Sequence, residues 1–263
     1  MSILLVDIGN TRIKWALWRE GRLTRQQAAA HEGWEQEDFE KHLFGGSARQ
    51  APAREPKLTR ILVSSVAGPR IDRPFAAAVR MTEVTPEFAR TLRRSGRVRT
   101  RYSEPWRLGV DRFLGVIAAH ALARGRAACA VGIGTAITVD LIDARGVHRG
   151  GAIAPGPALM VQSLLSSTDG IEVRAHGGAR GRALFARNTR AAIEQGTRFA
   201  AAALIERAIA EARRSLGRRP TVYLTGGAAR EIEPLLQVRY TSVPDLVIRG
   251  LALHAGLTVK SGK

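Results

Sequence analysis

The chain has 263 residues, of which 45% are hydrophobic and 5% aromatic, and its formal net charge is +18. Its length suits one large domain or two of ordinary size, and its composition is globular rather than disordered, fibrous or disulfide-rich. The charge would suit nucleic acid, but five of the 41 basic residues are lysine and 36 are arginine, a bias that a GC-rich genome also produces. Because the arginines are spread along the chain, apart from a cluster at 93–101, we do not expect a nucleic-acid partner.

Three features bear on cellular location. The single cysteine, Cys129, lies in the apolar run 127–131, which favours a small buried hydrophobic residue over a nucleophile or metal ligand. The first residues lack the basic segment and cleavage site of a secretory signal. The longest uncharged apolar stretch, 127–139, is too short for a membrane helix. We therefore expect a soluble, cytoplasmic protein without a membrane partner.

The first predicted element is a β-hairpin. The apolar run 3–6 opens a strand, Gly9 and Asn10 can form a tight turn, and an extended pattern resumes over 11–18 before Gly21. No chemistry is assigned to residues 22–60. Periodicity predicts the next elements as a helix around 34–44, a buried strand at 60–66, a short helix at 74–81 and a strand at 82–85.

A second hairpin of the same kind is predicted near the middle of the chain. It spans 130–142, shares a V-x-I-G core with the first, and is followed by Gly146 as the first is followed by Gly21, 125 residues earlier. The other predicted elements are a helix at 111–124 that stops at Gly125, an amphipathic helix at 190–214, a strand at 221–224, a helical pattern at 228–236 and a final apolar run at 246–257.

Two hairpin-led halves that each continue into strands and helices imply a duplicated α/β fold with a cleft between the halves. We place the two domains at 1–125 and 126–263. Glycine-rich turns suggest phosphate binding, because glycine lets backbone amides approach an anion. No G-x-x-x-x-G-K-[ST] motif is present, and Gly132-Ile133-Gly134 lacks the third glycine of a dinucleotide fingerprint.

The two hairpin turns and a later loop, Leu224-Thr225-Gly226-Gly227, occur in an order that resembles the actin-like ATPase and sugar kinase superfamily, whose domains are ribonuclease H-like. Within it the sequence is most similar to the type III pantothenate kinase family, also named Bvg accessory factors. The resemblance runs almost the whole chain and is carried by Asp7-Ile8-Gly9-Asn10-Thr11 with Lys14, Tyr102 before Gly109-Val110-Asp111-Arg112, Gly134-Thr135-Ala136-Ile137-Thr138-Val139-Asp140, Gly150 to Gly156, and Asn188-Thr189 ahead of Ile193 and Gly196.

The resemblance implies phosphorylation of the primary hydroxyl of pantothenate by ATP, the committed step toward coenzyme A. Asp111 would be the general base, and Arg112 would pair with the pantothenate carboxylate. The remaining pantothenate contacts of the family correspond to Tyr102, Gly109, Val110 and Thr189. Simpler roles stay open: Asp111 could cap the first turn of its helix, Arg112 could be one more surface arginine, and Tyr102 and Thr189 could be a buried tyrosine and a helix cap.

The ATP site is also implied by resemblance. The first phosphate loop corresponds to Asp7, Ile8, Gly9, Asn10, Thr11, Arg12, Ile13 and Lys14, the second ATP contact to Thr135, and the adenosine loop to Gly226 and Gly227. Asp7 ends a hydrophobic strand, where a carboxylate needs a cation or donors, so it would hold Mg²⁺ through water. An Asx turn is the alternative for Asp7.

Gly132 departs from the family. Most members carry aspartate there, at a position associated with a monovalent cation, K⁺ or NH₄⁺. Glycine has no side-chain oxygen, so we expect weak, altered or absent potassium dependence. Two other functions remain: another small-molecule kinase or phosphatase of the superfamily, or a basic regulator that binds nucleic acid. The resemblance also implies a homodimer. The six histidines show no metal-ligand spacing and are interpreted as structural.

Overall fold

The computed structural model describes residues 2–45, 58–166, 170, 174, 175 and 183–260. The chain forms two compact units, Met1–Leu122 with Asp245–Lys263, and Ala123–Pro244. The first boundary lies close to the one predicted after residue 125. The C-terminal segment differs from the prediction, because it belongs to the first unit rather than the second.

The first unit is built on a six-stranded sheet in the order β3-β2-β1-β5-β6, with β4 paired to β2. Strand β1 is buried along its whole length, as expected for a central strand covered on both faces. It runs antiparallel to β2, which confirms the predicted hairpin, and parallel to β5. The strands are β1 Ser2–Ile8, β2 Arg12–Arg19, β3 Arg22–Leu23, β4 Gln27–Ala30, β5 Leu58–Ser65 and β6 Pro86–Phe88.

The helices of the first unit cover this sheet. Phe39 and Phe75, from the first two helices, are fully buried against each other and against β1 and β5. A short hairpin, β7 Arg94–Ser95 and β8 Val98–Thr100, precedes the third helix. The helices are α1 Gln36–Phe44, α2 Pro69–Val79, α3 Val110–Ala123 and, from the C-terminal segment, Leu246–His254.

The C-terminal helix joins the first unit because it packs backbone against backbone on α3. A Cβ atom at Gly250 would lie 1.9 Å from the Leu114 carbonyl oxygen. The segment after it is tied to the β2–β3 hairpin: the Trp18 indole donates to the Thr258 carbonyl at 2.8 Å, and the Lys260 amide to Gly21 at 2.8 Å. The apolar run 246–257 predicts burial but does not specify the partner.

Gly250→Ala should therefore destabilise the protein. The added methyl group must displace the α3 backbone, and overpacking of this kind costs about 1–3 kcal/mol. The measurement is chemical denaturation, with Gly196→Ala as the matched control: Gly196 is a helical glycine whose Cβ would meet nothing within 4 Å. That control should be neutral or stabilising. Equal stability of the two variants would contradict the packing described.

The second unit repeats the arrangement of the first. Its strands lie in the order β13-β12-β9-β10-β11, with β10 antiparallel and β12 parallel to β9. Thus β10-β9-β12 corresponds to β2-β1-β5, and the second predicted hairpin is confirmed. The strands are β9 Ala128–Ile133, β10 Ala136–Ile142, β11 Val147–Pro155, β12 Thr221–Thr225 and β13 Thr241–Ser242.

The helices of the second unit are α4 Pro157–Ser166, α5 Thr189–Leu216 and α6 Ala229–Ile232, so that the C-terminal helix is α7. Buried residues of α5, such as Ile205 and Ile209, pack against β9, β10 and β12. Cys129 is fully buried in this core, and burial raises its thiol pKa to about 12. This confirms the prediction of a buried, unreactive cysteine.

Two local predictions are wrong. Residues 82–85 contain no strand: the 3₁₀ turn Arg80–Thr82 precedes the loop that leads to β6, whose pairing with β5 selects Pro86–Phe88. The helical pattern at 228–236 is cut short, because Pro234 lacks an amide hydrogen and places the 3₁₀ turn Glu233–Leu235 after α6. Among the described helices, none is long and apolar enough to cross a membrane.

Candidate active site

A row of three polar side chains crosses the centre of the first sheet. The β1–β2 pairing sets Asp7 opposite Lys14, and the β1–β5 pairing sets it opposite Ser64. The Ser64 hydroxyl donates to Asp7 Oδ1 at 3.1 Å, and Lys14 Nζ lies 3.6 Å from Asp7 Oδ2. Asp7 is only 4% exposed, so the sheet holds a carboxylate almost out of water.

This carboxylate has an unfavourable electrostatic environment. Burial raises the pKa of Asp7 above its usual value; Lys14 and Ser64 lower it, and the nearby charge of Asp111 raises it again, so that the net shift is upward. The ionised form of a buried carboxyl group with a raised pKa is strongly stabilised by a bound cation. The row is therefore suited to a metal ion and not only to an Asx turn.

The β1–β2 turn presents backbone to solvent. The Gly9 amide donates to the Arg12 carbonyl at 2.9 Å, closing the turn, while Asn10, Thr11 and Arg12 are exposed at its tip. The first predicted phosphate loop is thus an exposed hairpin turn, with the cationic Lys14 beside it on β2.

The Gly109–Arg112 motif begins α3. Asp111 Oδ1 accepts the Arg112 amide at 2.8 Å, and a Cβ atom at Gly109 would lie 2.8 Å from that same oxygen. Glycine is therefore needed for the Asp111 side chain to keep this conformation. Asp111 is half-buried and close enough to Asp7 to raise its pKa, whereas the Arg112 side chain is buried. The helix-start contact and a chemical role for Asp111 are compatible.

Tyr102 lies between β8 and the 3₁₀ turn Pro105–Arg107, and it is half-buried. Its amide donates to the Thr100 hydroxyl at 3.1 Å, and its carbonyl accepts from Arg93 at 3.5 Å. These contacts hold the segment that leads into the Gly109–Arg112 motif.

Three glycine-rich loops meet in the second unit. A Cβ atom at Gly156 would lie 2.0 Å from the Gly134 carbonyl oxygen, and the Gly156 amide donates to Thr135 at 2.8 Å. Gly226 has a φ of +110°, and a Cβ there would lie 2.1 Å from the Ile133 carbonyl oxygen. The predicted adenosine loop therefore packs directly on the turn that carries Thr135, and no larger residue fits at either contact.

A comparison with known protein families shows to which family the chain belongs. A family model described as type III pantothenate kinase matches residues 3–211. The chain belongs to the type III pantothenate kinase family. Proteins of that name from Nitrosococcus oceani and Aromatoleum aromaticum are 36% and 38% identical to it, over 98% and 96% of this chain and 95% and 97% of theirs. The family predicted from the motifs is thereby confirmed.

Solved structures show the same fold at low identity. A putative Baf family transcriptional activator from Campylobacter jejuni superposes with a TM-score of 0.57 at 18% identity, covering 96% of this chain and 97% of that one. Component A of the (R)-2-hydroxyglutaryl-CoA dehydratase from Acidaminococcus fermentans has a TM-score of 0.52 at 14% identity, covering 98% and 97%. The prediction of duplicated actin-like α/β domains is confirmed.

Gly132 stands where the family resemblance implies an aspartate. It lies opposite Thr138 in the β9–β10 pairing, and a Cβ atom at 132 would be 2.8 Å from Thr138 Oγ1. The Thr138 hydroxyl thus occupies space that the side chain of an aspartate would need. In this chain a neutral oxygen lies where the family resemblance leads us to expect a charged one.

Thr189 is the first residue of α5, in the second unit. The helix cap is Asn188, whose side chain accepts the Ala191 amide at 2.8 Å. The alternative interpretation of Thr189 as a helix cap is therefore wrong.

Two residues near the first turn were missed by sequence reasoning. Ser64 ends a buried strand together with Ser65, a polar pair at the carboxyl end of a parallel strand that could have signalled a site. His31, which hydrogen-bonds Gly9, gave no such signal, because only the pairing of β4 with β2 brings it to the turn. Among the described residues there is no group of three or more His, Cys, Asp or Glu side chains that could hold a metal.

Proposed function

We propose that this protein transfers the γ-phosphoryl group of ATP to the primary hydroxyl of pantothenate, giving 4'-phosphopantothenate and ADP. The observation that carries the proposal is the pair of carboxylates in the first unit: Asp7, buried behind an exposed turn, and Asp111, close to it at the start of α3. One carboxylate suits a metal ion at the phosphates and the other suits a hydroxyl nucleophile.

Asp111 is the general base in this proposal. As the pantothenate oxygen bonds to phosphorus and the bond to the leaving ADP oxygen breaks, its proton passes to the Asp111 carboxylate. General-base assistance of this kind is worth about 10²–10⁴ in rate.

The binding roles follow the family motifs. The turn at 7–14 and Thr135 hold the phosphates, and Gly226 with Gly227 lies against the adenosine. Tyr102, Arg112 and Thr189 bind pantothenate, whose carboxylate suits the planar donors of an arginine. Arg112 is buried at the start of α3, next to the proposed base Asp111.

Mg²⁺ is the proposed metal, and the residues present fit it. The ion is usually held by one or two carboxylates together with waters and substrate phosphates rather than by a full protein cage. Asp7 supplies one carboxylate, held in place by Ser64 and Lys14. When bound, the ion would offset the charge that develops on the transferred phosphoryl group.

A monovalent cation fits less well, because Gly132 has no carboxylate and the Thr138 side chain opposite it supplies only a neutral hydroxyl. We expect kinase activity to change little when potassium or ammonium replaces sodium. The measurement is the initial rate of ADP release in each salt at equal ionic strength. Strong potassium activation would show that another group binds the ion; its loss in Thr138→Val would identify the hydroxyl as that group.

We also propose that the protein is a homodimer in the cytoplasm, as the resemblance implies. Sedimentation analysis of the purified protein tests the dimer.

The direct test of function is an assay with purified protein, ATP and pantothenate, in which ADP release and the mass of the phosphorylated product are measured. Turnover of a sugar in place of pantothenate would favour another kinase of the superfamily. Tight binding of duplex DNA at about 0.15 M salt, without turnover of any substrate, would replace the kinase by the basic regulator.

A further inference from the structure

His31 lies beneath the first phosphate turn. It follows β4 directly, is 2% exposed, and its amide donates to the Thr11 carbonyl at 3.3 Å. Its Nε2 atom is 2.7 Å from the Gly9 carbonyl oxygen. The backbone and the side chain of one buried histidine therefore contact two carbonyl groups of the turn, those of Thr11 and Gly9.

The chemistry of this contact fixes the direction of the hydrogen bond. A carbonyl oxygen can only accept, so Nε2 must carry the hydrogen. The Nδ1 atom is buried and makes no hydrogen bond to the residues that the structure describes. Within that part of the chain, the ring has a single polar contact, and it is with Gly9.

The contact determines how the next peptide group is oriented. In a planar trans peptide the carbonyl and the following amide hydrogen point in opposite directions. Because His31 draws the Gly9 carbonyl inward, the Asn10 amide is turned outward, at an exposed position where it hydrogen-bonds no described residue. An outward amide at the tip of a glycine turn is a donor available to an anion.

We propose that His31 is a positioning residue for phosphate binding: by holding the Gly9 carbonyl, it presents the Asn10 amide to a phosphate group of ATP. The inference rests on the proposed function, since it concerns the same turn. His31 does not contact the reacting atoms and acts through the Gly9–Asn10 peptide.

The test compares three variants by calorimetric binding of ATP, ADP and adenosine, and by steady-state kinetics. His31→Leu removes the donor, and the dissociation constants for ATP and ADP should rise about tenfold, the effect of losing one hydrogen bond to an anion. Affinity for adenosine and the KM for pantothenate should stay unchanged. His31→Gln, whose amide nitrogen can reach the Nε2 position, should restore phosphate affinity; His31→Asn, whose nitrogen is one bond short, should not.

His42→Leu is the matched control, because His42 is an exposed histidine of the same unit that stacks on Trp34. A general loss of structure in His31→Leu would weaken adenosine and phosphate binding alike, which would overturn the inference, as would equal ATP affinity in His31→Leu and wild type. If His31→Leu fails to fold, the contrast between Gln and Asn decides. Wild-type protein that binds no ATP would overturn the proposed function itself and this inference with it.

Discussion

Asp111→Asn should lower kcat for pantothenate phosphorylation by about 10²–10⁴, because the amide cannot accept the hydroxyl proton. The KM values for ATP and pantothenate should change little, since the amide keeps the shape of the side chain and one oxygen that can accept the Arg112 amide. Initial rates of ADP release and a thermal melt of the same preparation measure both effects. The predicted pattern is a kcat loss in a fully folded protein.

Asp38→Asn is the control that separates this effect from helix capping. Asp38 likewise lies in the first turn of a helix, α1. Its carboxylate accepts a hydrogen bond from the Glu35 amide at 3.0 Å. The Asp38 variant should keep full activity. If Asp111→Asn lost stability rather than kcat, Asp111 would be a capping residue and the assignment of a base would be wrong.

Asp7→Asn should lower kcat/KM by about 100-fold or more, because the proposed Mg²⁺ ligand loses its charge. The Mg²⁺ concentration needed for half-maximal rate should rise as well. Ser64→Ala, which keeps the carboxylate and removes one of its donors, should show a smaller loss. Activity of Asp7→Asn equal to wild type would place the metal elsewhere.

The stability difference between the wild type and Asp7→Asn should depend on pH in a defined direction. The pKa of Asp7 is raised in the folded protein, so between its ordinary value and the raised one the folded state binds more protons than the unfolded state. The free energy of unfolding of the wild type therefore falls as pH rises through that window. The amide side chain of the variant does not titrate, so the melting temperature of the variant should rise relative to that of the wild type as pH increases above the ordinary carboxyl pKa of about 4. An opposite trend would show that Lys14 and Ser64 outweigh burial.

Local sequence signals were sufficient to predict the hairpins and helices whose defining contacts lie within one short segment. Both hairpins were predicted correctly because alternating strands and a glycine turn lie within about 15 residues of each other, a separation that turn chemistry alone can specify. The helices predicted at 111–124 and 190–214 were found for the same reason: the apolar periodicity of each is contained in a single segment.

The chemistry of the site was predicted from motifs rather than from physics alone. Asp7 at the end of an apolar strand indicated a charge in need of a cation, and burial with a raised pKa agrees with that interpretation. Its neighbour Ser64 was not predicted, because parallel pairing of β1 with β5 joins residues 57 positions apart.

The sequence by itself determined the family, the duplicated hairpins and the motif residues, since these depend on residue identity and short-range pattern. Only the tertiary structure decided that 245–260 packs with the first unit, that His31 holds the Gly9 carbonyl, and that the Thr138 hydroxyl fills the space beside Gly132. Each of these contacts requires two segments that are distant in the sequence to bring their backbones close together. Such an approach is selected by the packing of the whole core and leaves no periodic or compositional mark on either segment alone.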